Sequence, residues 1–167
     1  MINAINQLCR QIRSEIRYID HGGCAVFAAF LSQGLEHYGH VGIAVGSDED
    51  ADVTIDDARP GVEKNTAPCW NDNGVSFAHV VTEFTYKGTK YHINSQGAQP
   101  ARKRTHNGRW PILKGRMTVE EVTGIAYCDR GWNYTFNRAQ IGPMKILFDK
   151  GFKEMFNKGF IPKRRAT

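Results

Sequence analysis

Cys24 follows Gly22-Gly23 and opens an apolar run, Ala25-Val26-Phe27-Ala28-Ala29-Phe30-Leu31. A cysteine in the first turn of a helix meets backbone N–H groups that lack intrahelical partners. It also sits at the positive end of the helix dipole, and both effects favour thiolate over thiol. The glycines before it, Gly23 in particular, let the backbone pass close to a substrate and point an N–H toward it. A thiolate nucleophile needs an imidazole beside it, held by a third group. His79 is set in the apolar pattern Phe77-Ala78-His79-Val80-Val81, where a histidine is costly without a partner. Asn94 ends the next strand and can hydrogen-bond that imidazole. Cys24, His79 and Asn94 together point to acyl transfer through a covalent thioester.

Two further histidines lie near this set. His21 is three residues before Cys24 and could offer a donor at the mouth of a site. His92 is two residues before Asn94, so strand alternation puts both on one face and makes His92 the second candidate for the base. Trp110, Trp132 and Tyr134 could line a substrate groove.

The elements that must position these groups are legible as patterns. Ile5, Leu8, Cys9, Ile12 and Ile16 recur at three- and four-residue spacing, which predicts an amphipathic helix over residues 2 to 18. After the break at Asp20-His21-Gly22-Gly23, a second helix runs from Cys24 to about Tyr38 and stops at Gly39; being apolar nearly all round, it reads as a buried central helix. Val41 to Val45 is a short strand candidate. Val75 to Thr85 and Lys90 to Asn94 read as a hairpin turning at Lys87-Gly88. Residues facing each other across that turn have numbers that sum to about 175, so His79 and Asn94 become close neighbours across the ladder. Ser95 to Arg116 reads as a long basic loop. Met117 to Cys128 reads as a helix with Thr118 as N-cap and Glu121 three residues on. From Asn133 the chain looks helical but punctuated by Gly142-Pro143, Gly151 and Gly159. Its apolar side is Met144, Ile146, Leu147, Phe148, Phe152, Met155, Phe156 and Phe160.

The segment Gly22-Gly23-Cys24-Ala25-Val26-Phe27-Ala28-Ala29 resembles the Gly-x-Cys-x-x-Phe-x-Ala pattern that carries the nucleophile of papain-like cysteine peptidases. Tyr91-His92-Ile93-Asn94-Ser95-Gln96-Gly97 is similar to the family's Asn-Ser-Trp-Gly segment, and the order Cys, His, Asn agrees with it. The resemblance implies an α+β papain-like fold over residues 1 to 167, in which the nucleophile helix packs on a small antiparallel sheet. It implies Cys24 as nucleophile, His79 as base and Asn94 as the residue that orients His79. Tyr18 stands where the family has its oxyanion glutamine, which leaves His21 as the first candidate for that donor. Gln96 stands where the family has the tryptophan that shields the His–Asn bond. The chain is shorter than typical papain-type peptidases and looks like a minimal thiol hydrolase of the bacterial and phage kind, cleaving an amide, peptide or isopeptide bond in a protein or peptide substrate.

The chain has 167 residues, of which 41% are hydrophobic and 23% charged, the proportions of a one-domain globular protein. No apolar run is long enough for a membrane span, and the first helix carries Arg10, Arg13, Glu15 and Arg17, unlike a secretory signal. A cytoplasmic or virion-internal protein, without a membrane partner, is therefore expected. Cys9, Cys24, Cys69 and Cys128 form no CxxC pair and read as thiols. His37 and His40 bracket Tyr38-Gly39 and read as a helix end, so neither metal nor cofactor is expected. Asp48-x-Asp50-x-Asp52 has the spacing of a calcium loop, but Val53 and Arg59 stand where that loop needs Gly and Glu.

The net charge of +5 is unevenly spread. Acids Asp48, Glu49, Asp50, Asp52, Asp56, Asp57 and Glu63 cluster in one stretch. Between Ser95 and Arg116 there is none, against Arg102, Lys103, Arg104, Arg109, Lys114 and Arg116. Such a basic face could steer an anionic partner. The alternative reading is a non-catalytic binding protein, an inhibitor or a nucleic-acid binder, using that stretch and the C-terminal helix. No nucleic-acid reader motif accompanies it. The oligomeric state is not legible.

Overall fold

Ile5, Leu8, Cys9 and Ile12 are all buried, and their spacing makes Ile2–Glu15 the amphipathic helix α1. The computed structural model describes residues 1–19, 23–47, 79–101, 112–120, 122 and 136–161. Its second helix, α2, spans Cys24–Leu35 and buries nearly every side chain it carries. It ends earlier than the expected Tyr38, because residues 36 to 39 turn the chain directly into β1, His40–Ser47.

Strands β2, His79–Tyr86, and β3, Thr89–Asn94, form the expected hairpin. Lys87 and Gly88 both take positive φ, 50° and 78°, as a two-residue turn of matched twist requires. The ladder pairs Thr82 with Ile93 and Glu83 with His92, in the register expected from the turn. The expected strand start at Val75 falls on residues outside the described set.

The stretch from Ser95 to Arg116 is not all loop. It contains β4, Gly97–Pro100, and β5, Ile112–Met117, giving a five-stranded antiparallel sheet in the order β4-β3-β2-β1-β5. Both are edge strands, and their pairing comes from tertiary context instead of local pattern. Pro100 ends β4 at the edge, where its missing N–H costs no ladder bond, and Asn6 of α1 accepts the Ala98 N–H at 2.6 Å. β5 pairs with β1 from across the chain.

The C-terminal segment is one helix, α3, Ile141–Asn157, following a short 3-10 turn at Arg138–Gln140. Gly142-Pro143 does not interrupt it, because a proline in the first turn removes an N–H that has no helical partner anyway. Met144, Phe148, Gly151 and Met155 face inward. Ile146, Phe156 and Phe160 do not belong to the buried side; they are 66%, 39% and 48% exposed. The helix expected from Met117 starts later, because Met117 ends β5; the Val122 N–H donates to the Thr118 carbonyl at 3.2 Å, and residues 123–128 of that expected helix lie outside the described residues.

α1 and α2 pack on the sheet and α3 packs on both of them, which makes the protein α+β. Val80, Phe84, Ile43 and Ile93 join the helices in a single core. The opposite face holds the smaller buried pair Ala44 and Val81, with buried Glu83, His92 and Asn94. No helix among the described residues is long and apolar enough to cross a membrane.

Two consequences of this packing can be measured. Phe152 of α3 lies against the backbone of Gly34 in α2, so a methyl group at Gly34 would overlap its ring. Gly34→Ala is expected to lower stability by about 1–3 kcal/mol in denaturant unfolding, because the α2–α3 contact must open. Cys9 is fully buried, and desolvation pushes its thiol from 9.0 up to about 12. A folded-state pKa raised in this way contributes stability that is present below pH 9.0 and lost as pH rises toward 12. Urea unfolding above pH 9 should therefore weaken the wild type more than Cys9→Ala. The native Cys9 thiol should also resist alkylation at neutral pH.

Candidate active site

Chain direction brings the three expected residues to one end of the molecule. α2 runs toward Gly39, where the chain reverses into β1, and Gly39 lies against Phe84 and the Thr85 carbonyl. β1 is antiparallel to β2, so α2 and β2 point the same way. Their crossing point is fixed by hydroxyls: Thr82 Oγ1 donates to the Ala28 carbonyl at 3.2 Å and lies 3.0 Å from Ser32 Oγ. Cys24 is one helical turn, about 5.4 Å, before Ala28. His79 is three strand residues, about 10 Å, before Thr82. β3 runs back along β2 and ends at Asn94. The first residue of α2, the first of β2 and the last of β3 thus share an end of the sheet.

Cys24 is 7% exposed, at the head of α2. Its N-cap is Gly23, which has no side chain to cap the first-turn N–H groups. Gly23 has φ −88° and ψ −3°, so it is not needed for its conformation. It is needed for space: a Cβ there would sit 2.7 Å from the ring of Phe136. The room expected to admit substrate beside Gly23 is thus partly filled by Phe136, itself only 5% exposed.

The approach to Cys24 is anchored from α3's side of the molecule. Gln140 accepts the Arg17 N–H at 2.8 Å and donates to the Arg17 carbonyl at 3.1 Å. Tyr18 follows with φ 60° and an exposed ring. His21 lies outside the described residues, as do Trp110, Trp132 and Tyr134. Sequence reasoning missed Phe136 and Gln140. Both act through contacts more than a hundred residues away along the chain, and no local pattern signals them.

His79 opens β2, its Cα paired with Gly46 of β1. Asn94 is buried, and its Oδ1 accepts the Gln96 N–H at 2.8 Å, which pins the tight turn into β4. Gln96 itself is exposed on the turn. Asn94→Ala should therefore cost about 1 kcal/mol in thermal unfolding through the turn alone, in addition to any effect on turnover.

His92 has a role the sequence did not reveal. Its Nε2 lies 3.3 Å from Glu83 Oε2 across the β2–β3 ladder, and Lys90 Nζ reaches the same oxygen at 3.4 Å. His92 and Glu83 are both buried, so His92 is engaged by a carboxylate within the sheet. Among the described residues, no group of three or more His, Cys, Asp or Glu side chains is placed to hold a metal ion. Among the described residues, neither Cys9 nor Cys24 is in a disulfide. No family model, curated protein or solved structure matches the chain.

Proposed function

We propose that this protein is a papain-like thiol hydrolase acting on an amide, peptide or isopeptide bond. One observation carries the reading: the head of α2, the start of β2 and the end of β3 lie at the same end of the sheet. In this mechanism the Cys24 thiolate attacks the carbonyl carbon, and the new oxyanion is met by the Cys24 N–H with a second donor from the 18–21 segment. The C–N bond breaks as imidazolium His79 protonates the leaving amine. Neutral His79 then takes a proton from water, hydroxide attacks the thioester, and Cys24 leaves as thiolate. Asn94 holds the imidazole in its working orientation.

Alternation through β2 puts Val80, Thr82 and Phe84 on the α2 side and position 79 in phase with Val81, Glu83, His92 and Asn94. The proposed mechanism therefore requires the thiolate and imidazole to meet around the end of the sheet, where the ladder stops. A thiolate nucleophile suits a reducing compartment such as cytoplasm.

The test is the rate of Cys24 alkylation by iodoacetamide as a function of pH, followed by peptide mass. A Cys24 that reacts well below the pH of an ordinary thiol, and loses that reactivity in His79→Ala, is the expected result. A Cys24 that titrates like a free thiol in both proteins would sink the reading.

A further inference from the structure

At the other end of α2, about 15 Å along the helix axis from Cys24, the packing of α2 against α3 leaves a cavity of about 620 Å³. Its volume lies in the range of small-molecule sites, roughly 300–1,000 Å³. The lining is aromatic: Phe30, Phe148 and Phe152 form the floor and Phe156 one wall. Phe148 and Phe152 are near parallel, with centroids 6.2 Å apart and planes 20° from each other, while Phe30 tilts against Phe148 at 6.1 Å. Gly34, which has no Cβ, lets the Phe152 ring lie directly against α2.

The rim is cationic. Lys145 and Asp149 neutralise each other at 2.6 Å. Lys153, one turn further along α3, is exposed and has no ion-pair partner among the described residues, and His37 lines the same cavity. A flat apolar body would stack on the phenylalanines in the offset or edge-on manner that aromatic rings prefer. An anionic head would lie at Lys153, where a charge-assisted hydrogen bond forms. A neutral molecule would forgo that bond, and a cation would be repelled.

We propose that the α2–α3 cavity is a binding site for an aromatic carboxylate, with Lys153 as its anion contact. The site is separate from Cys24 and stands whether or not the hydrolase reading does.

Calorimetric titration of the full chain with 2-naphthoate, 2-naphthylmethanol and 2-naphthylmethylammonium tests it. The expected result is saturable one-to-one binding of 2-naphthoate, at least about fivefold tighter than the alcohol and tighter still than the ammonium ion. Lys153→Glu, a change on an exposed helix face that leaves folding intact, should weaken 2-naphthoate by about fivefold or more and leave the alcohol unchanged. Phe156→Ala, at a partly exposed wall, should weaken both. Absence of saturable 2-naphthoate binding overturns the proposal. So does equal binding of the three probes, or a Lys153→Glu protein that binds 2-naphthoate as the wild type does. A Phe156→Ala protein with unchanged affinities would put the probe elsewhere and overturn it as well.

Discussion

Replacing Cys24 with alanine is expected to remove acyl transfer altogether while leaving the fold intact. With p-nitrophenyl acetate, the wild-type thiolate should form an S–acetyl bond as the C–O bond to p-nitrophenolate breaks, giving a burst and a single acetyl mass increase at Cys24. Cys24→Ala should give neither, and on a true substrate the loss should be on the order of 10⁴ to 10⁶. Stability should change little, since one small sulfur is lost at a helix end. His79→Ala should retain the thiol but slow its acylation at neutral pH and move its alkylation profile upward, because no imidazolium remains to stabilise the thiolate. The informative control is His92→Gln, which keeps a hydrogen-bonding group beside Glu83 and should leave that profile in place. A shift in His92→Gln and none in His79→Ala would reassign the base. A full acetyl burst from Cys24→Ala would exclude Cys24 as nucleophile.

The second large effect is on stability and concerns the pair across the β2–β3 ladder. His92→Ala removes the imidazole beside Glu83, a buried carboxylate that the half-exposed Lys90 also approaches. Breaking a buried pair from one side costs about 3–5 kcal/mol, and Lys90 should hold the loss near the lower figure. Glu83→Leu together with His92→Leu removes both polar groups and should recover most of the stability, since an apolar replacement leaves nothing unpaired. Urea unfolding of the two variants distinguishes the cases. A His92→Ala protein as stable as the wild type would mean that the Glu83–His92 contact contributes nothing net.

The hydrophilic face that carries this pair also carries Asn94, two residues along β3, and position 79 in the same phase of β2. A substitution that loosens Glu83 or His92 can therefore lower turnover by moving the strand ends, without either residue touching substrate. Reading stability and the Cys24 alkylation profile together separates that indirect effect from loss of the base.

The sequence by itself determined the elements whose signals are local. The three- and four-residue spacing of Ile5, Leu8, Cys9 and Ile12 specifies α1, since only a helix gathers those side chains on one side. The unbroken apolar run after Cys24 specifies a central helix, because no surface helix could expose it. Lys87-Gly88, where glycine takes positive φ at little cost, sets the β2–β3 register, which by extension puts position 79 two rungs from Asn94 and in the same phase. Tertiary structure decided what no local pattern encodes. β4 and β5 are strands because edges of an existing sheet and Asn6 of α1 accept them, although their own sequence reads as basic loop. Gly151 is glycine because Leu8 of α1 lies where its Cβ would be. Gly23 is glycine because Phe136 lies against it, and the chain before Cys24 is held by Gln140. The pairing of His92 with Glu83 is likewise tertiary, because strand alternation specifies the face a side chain takes but not its partner. Contacts between residues far apart in the chain depend on how whole elements pack, and packing is decided by the complete set of side chains at once.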